Sequence, residues 1–126
     1  MDLPVRKQGQ LDFYVEELTA EHAVCRMQVS DGIRNPYGVV QAGAMVWMAD
    51  VAATVLALGK PSATAGESGF PLAISLNSSF LGNVTSGEIV AEARFVRHGR
   101  RVSVVRTKVT AGDKLLADVT TTHLPA

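Results

Sequence analysis

One long apolar stretch, from Val39 to Leu58, constrains this chain more than any other feature. Its only ionisable side chain is Asp50, and Gly59, Lys60 and Pro61 follow it as a conventional helix stop. The length approaches that of a membrane span, but the central carboxylate and the many Ala and Gly residues disfavour that interpretation. The pattern therefore predicts a core helix from about Gln41 to Leu58.

Six segments bounded by turn formers predict β-strands. These are Leu11 to Glu16, Ala23 to Val29, Pro71 to Phe80, Glu88 to Arg97, Arg101 to Ala111 and Leu115 to Leu124. A loop of small residues, Ser62 to Gly69, separates the helix from the third strand. Without a linker or repeat in the chain, we expect residues 1–126 to form a single α+β domain.

The apolar helix also predicts self-association. A helix that is apolar all round must be covered on every side, and one six-strand sheet of this length covers only one side. A second copy of the chain is the simplest cover, so we expect at least a homodimer.

Composition excludes several partners. Twelve Lys plus Arg balance twelve Asp plus Glu, so neither nucleic acid nor an anionic membrane is an expected partner. Cys25 is the only cysteine, which fits a reducing, cytoplasmic compartment, and the N-terminus lacks the apolar core of a secretory signal. The three histidines lie in separate segments without ligand spacing, so no metal and no cofactor is expected.

Asp50 is the strongest candidate for chemistry. Burying a carboxylate without a partner costs several kcal/mol as an order of magnitude, so such a residue is retained for a reason. Thr54 lies one helical turn after it on the same face, and Trp47 about one turn before. A desolvated carboxylate suits a general base or a nucleophile at an activated carbonyl. The alternative is a structural Asp satisfied by backbone or by a subunit contact.

The start of the helix offers hydrogen-bond donors. No Ser, Thr or Asp cap precedes it, so the N–H groups around Ala42 and Gly43 are free at the positive end of the helix dipole. Asn35 and Gln41 add side-chain amides, and together these groups would hold an oxyanion. Asn before Pro is also a common turn device, which is the alternative for Asn35.

Three guanidinium groups cluster at a predicted hairpin, on Arg97, Arg100 and Arg101. Such a patch would grip phosphates, and the alternative is a solvated hairpin tip. Arg106 and Lys108 follow on the next strand.

The stretch from Asn35 to Asp50 resembles the signature of hotdog-fold thioesterases of the phenylacetate-pathway and 4-hydroxybenzoyl-CoA thioesterase type. That signature has an Asn or Gln, a Gly, His-Gly-Gly, and an Asp or Glu nine residues after the His. Residues 76–87 and 96–100 resemble later elements of the family less specifically. The resemblance implies a hotdog fold, an antiparallel six-strand sheet wrapped around one long central helix, and hydrolysis of an acyl-CoA.

The resemblance also implies roles for individual residues. It assigns the catalytic carboxylate to Asp50, the N–H that polarises the thioester carbonyl to Ala42, and supporting groups to Asn35 and Thr54. The carboxylate would come from one subunit and the oxyanion donors from the other, in a dimer or tetramer. Coenzyme A phosphates would lie near the three arginines of the hairpin.

The chain departs from the family pattern in two regions. Gln41-Ala42-Gly43 replaces His-Gly-Gly, so an amide that cannot take a proton stands where the family has an imidazole. Ala73 occupies the region where some relatives carry a water-positioning Ser. Ser75 is a possible substitute, since alternation along a strand would put it on the same face as Ala73.

The sequence thus predicts an acyl-CoA thioesterase whose acyl pocket, bordered by Trp47, Val51 and Phe80 beside Gly43, takes an apolar or aromatic acyl group. A hotdog hydratase is disfavoured because no histidine lies near Asp50 in the motif. A non-catalytic acyl-CoA-binding module is the second alternative, and the loss of the family His favours it. Retention of Asp50 argues against it, because a binding pocket gains nothing from an unpaired carboxylate.

Overall fold

The computed structural model describes all residues from 1 to 126. The helix α1 spans Ala42–Leu58, and a short 3-10 turn covers Asp31–Ile33. The strands are β1 Tyr14–Leu18, β2 His22–Gln28, β3 Pro71–Phe80, β4 Glu88–His98, β5 Ser103–Ala111 and β6 Lys114–Pro125.

The six strands form one antiparallel sheet in the order β1-β2-β4-β5-β6-β3. The connection that carries α1 leaves β2 near one edge and returns to β3 at the opposite edge, so the helix contacts every strand. The predicted α+β hotdog architecture, a sheet wrapped around one long helix, is confirmed.

Small side chains let α1 lie close to the sheet. Its buried residues are Ala44, Met45, Met48, Ala49, Ala52, Ala53, Val55 and Leu56. Alanine has no bulk beyond Cβ, so the methionines and strand side chains fill the remaining space at the density of a protein interior. The opposite stripe of the helix, which includes Trp47, Asp50 and Thr54, is not fully covered by this protomer.

Cys25 belongs to this core, because its side chain is fully buried on β2. Burial raises the pKa of the Cys25 thiol to about 11, so the sulfur stays protonated and unreactive.

Several predicted strand bounds were wrong. Thr19 Oγ1 accepts hydrogen bonds from the Glu21 and His22 N–H groups, which sets the β1–β2 turn so that β1 ends at Leu18 instead of Glu16. Residues 11–13 then lie before the first pair of the hairpin, and β2 ends one residue early.

Smaller corrections apply at the other ends. The Gly99 N–H donates to the Val102 carbonyl, so β5 begins at Ser103 instead of Arg101. β4 and β6 extend slightly beyond their predicted bounds, and α1 begins at Ala42, with Gln41 in the position before its first turn.

β3 is the more exposed of the two sheet edges. Eight of its ten residues are exposed, among them Leu72, Ile74, Leu76 and Phe80, against three of five in β1. None of the ten is charged. The other edge strand, β1, has only five residues and carries Glu16 and Glu17.

No helix of the structure combines the length and the hydropathy needed to cross a membrane.

Replacing Ala52 with Leu tests the close approach of helix and sheet. Ala52 is 0% exposed, so the extra atoms must displace packed neighbours, which costs about 1–3 kcal/mol of unfolding free energy. Urea unfolding measures the loss. Ala57→Leu is the matched control, because Ala57 is half-buried beside a cavity and should be tolerated. An equal loss of unfolding free energy in both variants would contradict the close packing of Ala52 against the sheet.

Candidate active site

Asp50 lies on the incompletely covered stripe of α1, one turn before Thr54. Its side chain is partly shielded by the protomer, and its Oδ1 atom is inaccessible to solvent and lacks a hydrogen-bond partner. Buried polar atoms are almost always hydrogen-bonded, so an orphaned carboxylate oxygen requires an explanation. The alternative of a structural Asp50 whose carboxylate is satisfied by backbone N–H groups therefore does not hold within this protomer.

Asp50 borders a cavity of about 430 Å³ between α1, the start of β3 and the loop after the helix. The lining residues are Asp50, Val51, Thr54, Val55, Leu58, Pro61, Ser62, Ala63, Phe70, Pro71, Leu72 and Ala73. Asp50 is the only charged group among them, and most of the rest are apolar. The cavity therefore combines one carboxylate with a surface suited to an apolar ligand.

The loop that forms one wall of this cavity has an anchor that sequence analysis missed. Glu67 Oε1 accepts hydrogen bonds from Lys60 Nζ at 2.6 Å and from the Thr64 N–H at 3.3 Å. These two bonds hold the pKa of the Glu67 carboxyl below its usual value. Only the i, i+3 and i, i+7 spacing of these residues could have indicated the anchor.

Trp47 and Phe80 lie outside the lining of this cavity. Trp47 is 43% exposed and packs edge-on against Phe13, with ring centroids 4.7 Å apart. Phe80 is 48% exposed at the end of β3. Of the three predicted acyl-pocket residues, the structure brings only Val51 to Asp50.

The N-terminus of α1 is uncapped. Gln41 makes no side-chain capping bond, and its carbonyl accepts the first helical hydrogen bonds, from the Ala44 and Met45 N–H groups. The amides of Ala42 and Gly43 precede these bonds at the positive end of the helix dipole, and both residues are exposed. Backbone donors in this position can stabilise an oxyanion.

A second cavity, of about 410 Å³, lies at this end of the helix. It is lined by Gln41, Gly43 and Ala44, by residues 32–34, and by the N-terminal segment 7–11.

Asn35 serves the turn before the helix. Its Oδ1 accepts hydrogen bonds from the Tyr37 N–H at 3.0 Å and the Val39 N–H at 3.2 Å. The side-chain oxygen is therefore occupied, and the Nδ2 group is the part of Asn35 left for a ligand.

The carboxylate and the helix N-terminus are far apart within one protomer. Ala42 and Asp50 are eight residues apart in one straight helix, which at 1.5 Å per residue places them about 12 Å apart along its axis. A reacting group bound at one of them is out of reach of the other. The candidate site thus consists of two halves at separate positions on α1.

A third, smaller cavity of about 170 Å³ lies by the β4–β5 hairpin. Its polar lining residues are His98, Arg100, Arg101, Ser103 and His123, and no carboxylate is among the residues that line it. Pro71 lines this cavity and also the one that holds Asp50. Of the three predicted phosphate ligands, Arg97 is the one outside the lining.

Arg106, on the neighbouring strand, is already engaged. Its guanidinium donates to both carboxylate oxygens of Asp118, at 3.0 and 2.6 Å. This pairing lowers the pKa of the Asp118 carboxyl and raises the pKa of Arg106.

The prediction that Ser75 lies on the same face of the strand as Ala73 was wrong. Ala73 pairs with His123 and Ser75 with Thr122, and neighbouring residues on β6 face opposite sides of the sheet. The cause is an irregularity in the β3–β6 register between Ala73 and Ser75, which breaks the simple alternation.

The three histidines have separate environments. His22 contacts Glu17, His98 stacks on Phe95, and buried His123 is hydrogen-bonded to the Pro71 carbonyl and the Thr121 hydroxyl. No group of three His, Cys, Asp or Glu side chains is arranged to hold a metal ion.

The family follows from comparison with known proteins. The sequence model of the thioesterase superfamily matches residues 37–117, which include α1 and the last residues of the loop before it. The chain belongs to the thioesterase superfamily. None of the curated protein sequences compared with the chain matches it.

Solved structures share the fold. A conserved protein of Pseudomonas aeruginosa is 25% identical with a TM-score of 0.82, over 92% of this chain and 90% of that one. A thioesterase from Haemophilus influenzae is 20% identical with a TM-score of 0.79, over 90% and 78% of the two chains. A Streptococcus mutans protein bound to acetyl CoA is 19% identical with a TM-score of 0.79, over 99% and 94%.

Proposed function

We propose that this protein hydrolyses the thioester of an acyl-CoA to the free acid and CoA. The observation that carries the proposal is the unpartnered Asp50 oxygen at the wall of an apolar cavity. Membership of the thioesterase superfamily supports this reaction class, and the fold-related protein bound to acetyl CoA supports the substrate class. The phenylacetate and 4-hydroxybenzoyl-CoA type, suggested by the motif at residues 35–50, is part of the proposal.

In the proposed mechanism the thioester carbonyl oxygen accepts a hydrogen bond from the Ala42 N–H at the helix N-terminus. Asp50 either takes a proton from water, which attacks the carbonyl carbon, or attacks that carbon itself. In the first route the C–S bond then breaks, and the proton taken from water passes to the CoA sulfur. In the second route the C–S bond breaks to leave an acyl anhydride on Asp50, which a water molecule hydrolyses to the free acid and the Asp50 carboxylate while its proton goes to the CoA thiolate. Gln41 and the Asn35 Nδ2 group would hydrogen-bond the substrate or the water, and Thr54 would orient Asp50.

The two halves of the site would meet in a homodimer. Because Ala42 and Asp50 are about 12 Å apart in one helix, Asp50 of one protomer must serve the Ala42 amide of the other. Uncharged sheet edges are templates for pairing with another chain, so β3 is the edge we propose for this contact. A tetramer is the extension that the family resemblance implies.

The hairpin cavity would receive the phosphates of CoA. Arg100 and Arg101 supply charge, no carboxylate among the lining residues opposes it, and the shared Pro71 makes this cavity adjacent to the one that holds Asp50. The pantetheine arm would cross Pro71 between them. Arg97, exposed at the same hairpin, would add a weaker contact.

The acyl group would be apolar or aromatic, because Val51, Leu58 and Phe70 line the Asp50 cavity. Trp47, Gly43 and Phe80 would contact it from a second protomer's surface. We further propose a single domain over residues 1–126, a cytoplasmic location, and no need for a metal or cofactor. The competing function is acyl-CoA binding without catalysis, favoured by Gln41 in place of the family His.

Asp50→Asn tests the reaction and the role of the carboxylate. Thiol release from short, long and aromatic acyl-CoAs should fall by about 10²–10⁴-fold, because the amide is neither base nor nucleophile. Acyl-CoA binding, measured by calorimetry, should persist. Asp118→Asn on the outer face is the control. Equal hydrolysis by the wild type and Asp50→Asn would remove Asp50 from its role, and binding without any hydrolysis would support the binding module.

Arg100→Ala combined with Arg101→Ala tests the phosphate site. KM for an acyl-CoA should rise about tenfold, equivalent to about 1.4 kcal/mol. KM for the same acyl group on N-acetylcysteamine, which has no phosphate, should stay unchanged. Arg106→Ala is the control because Arg106 is paired with Asp118. An equal effect on both substrates would contradict phosphate recognition.

Ile74→Lys tests the β3 contact. Ile74 is 58% exposed in the protomer, and a lysine there would put a charge into the proposed interface. Sedimentation should report monomers, and hydrolysis should be lost with the dimer. Val96→Lys is the control, since Val96 is 64% exposed but lies on an interior strand. A monomer that stays fully active would overturn the shared site.

A further inference from the structure

The loop between β3 and β4, residues 81–87, lies against the segment that leads into α1. It is seated on β6, since the Leu81 and Gly82 N–H groups donate to the Leu116 carbonyl at 2.8 and 3.2 Å. A Cβ on Gly82 would come within 2.9 Å of the Leu115 carbonyl oxygen, so only glycine allows this approach. The start of the loop is thereby fixed on β6.

Asn83 makes the contact between this loop and the helix entry. Its Nδ2 donates to the Val40 carbonyl at 2.9 Å, and its Oδ1 accepts from the Val40 N–H at 3.1 Å. The same Oδ1 accepts from the Val84 N–H at 2.9 Å, which fixes the side chain relative to its own loop. One carboxamide thus binds both backbone polar groups of Val40.

Val40 needs such a partner. It bridges to Arg34, but the hydrogen bonds there run from Gln41 N–H to the Ile33 carbonyl and from Asn35 N–H to the Val39 carbonyl. In an antiparallel pair of this kind the central residue's own N–H and C=O point the other way. Val40 is 0% exposed, so water does not reach these groups, and Asn83 takes the place of a neighbouring strand.

We infer that Asn83 is a positioning residue for the oxyanion donors at the start of α1. Val40 is separated from Ala42 only by the cap residue Gln41, so the clamp on Val40 sets the position of the Ala42 and Gly43 amides. This inference rests on the proposed function only for its kinetic consequence. The loop is braced further by Lys114 Nζ on the Asn83 carbonyl at 2.7 Å and by Arg34 Nε on the Thr85 carbonyl at 3.0 Å.

The experiment compares Asn83→Ala and Asn83→Asp with the wild-type protein. Alanine removes all three side-chain bonds, whereas aspartate keeps the shape and the acceptor but cannot donate to the Val40 carbonyl. A misplaced donor weakens the transition state more than the bound substrate, so kcat should fall about tenfold to hundredfold while KM changes less than about threefold. Asn83→Asp should lie between the wild type and Asn83→Ala.

Thr19→Ala is the matched control. Thr19 Oγ1 also accepts two backbone N–H groups and orders a turn, but at the β1–β2 hairpin. It should lower the melting temperature without lowering kcat. If kcat falls as far in Thr19→Ala as in Asn83→Ala at equal loss of stability, Asn83 has only a general structural role and the inference is overturned.

A second measurement needs no turnover. The amide resonances of Ala42 and Gly43 should shift in both Asn83 variants and stay in place in Thr19→Ala. Unshifted resonances overturn the inference, and if Asn83→Ala does not fold, the Asn83→Asp spectrum decides. If the wild-type protein shows no hydrolysis, only the proposed function is overturned. The amide resonances of Ala42 and Gly43 would still test the positioning role of Asn83.

Discussion

The packing of an alanine-rich helix against a curved sheet governs the rest of this molecule. Four fully or nearly fully buried alanines, Ala44, Ala49, Ala52 and Ala53, bring α1 close to the strands, and methionines fill the gaps. Such an approach fixes the rotation of the helix about its axis. Once that rotation is set, Asp50 and Thr54 must lie on the side that the sheet does not cover.

The same geometry explains why the proposed chemistry would be divided between two protomers. The uninterrupted helix places the amides of its first turn and the Asp50 carboxylate about two turns apart, so one protomer does not bring them together. Each half of the candidate site lacks hydrogen-bond partners within the protomer: Asp50 Oδ1 has none, and no side chain caps the helix start at Ala42 and Gly43. The exposed, uncharged β3 edge is the feature of the sheet that would allow a second chain to complete both.

Much of this was accessible from sequence because it depends on local chemistry. The helix was predicted to within one residue, since Gly59 ends it and only one charge interrupts its apolar run. The element order followed from the strand pattern, and the hotdog class followed from the resemblance of residues 35–50 to a known thioesterase signature. The limits are also physical: the β3 irregularity that reverses Ser75 depends on pairing with β6, and the Asn83 clamp joins residues 43 positions apart. No local pattern encodes either contact.

The division of α1 into two half-sites has a genetic consequence. In the proposed symmetric dimer each helix would give its amide to one site and its carboxylate to the other. A chain defective only in its carboxylate and a chain defective only in its helix start would each be inactive alone. A dimer that contains one chain of each kind would have one intact site, and its other site would carry both defects. Two loss-of-function alleles would therefore complement each other.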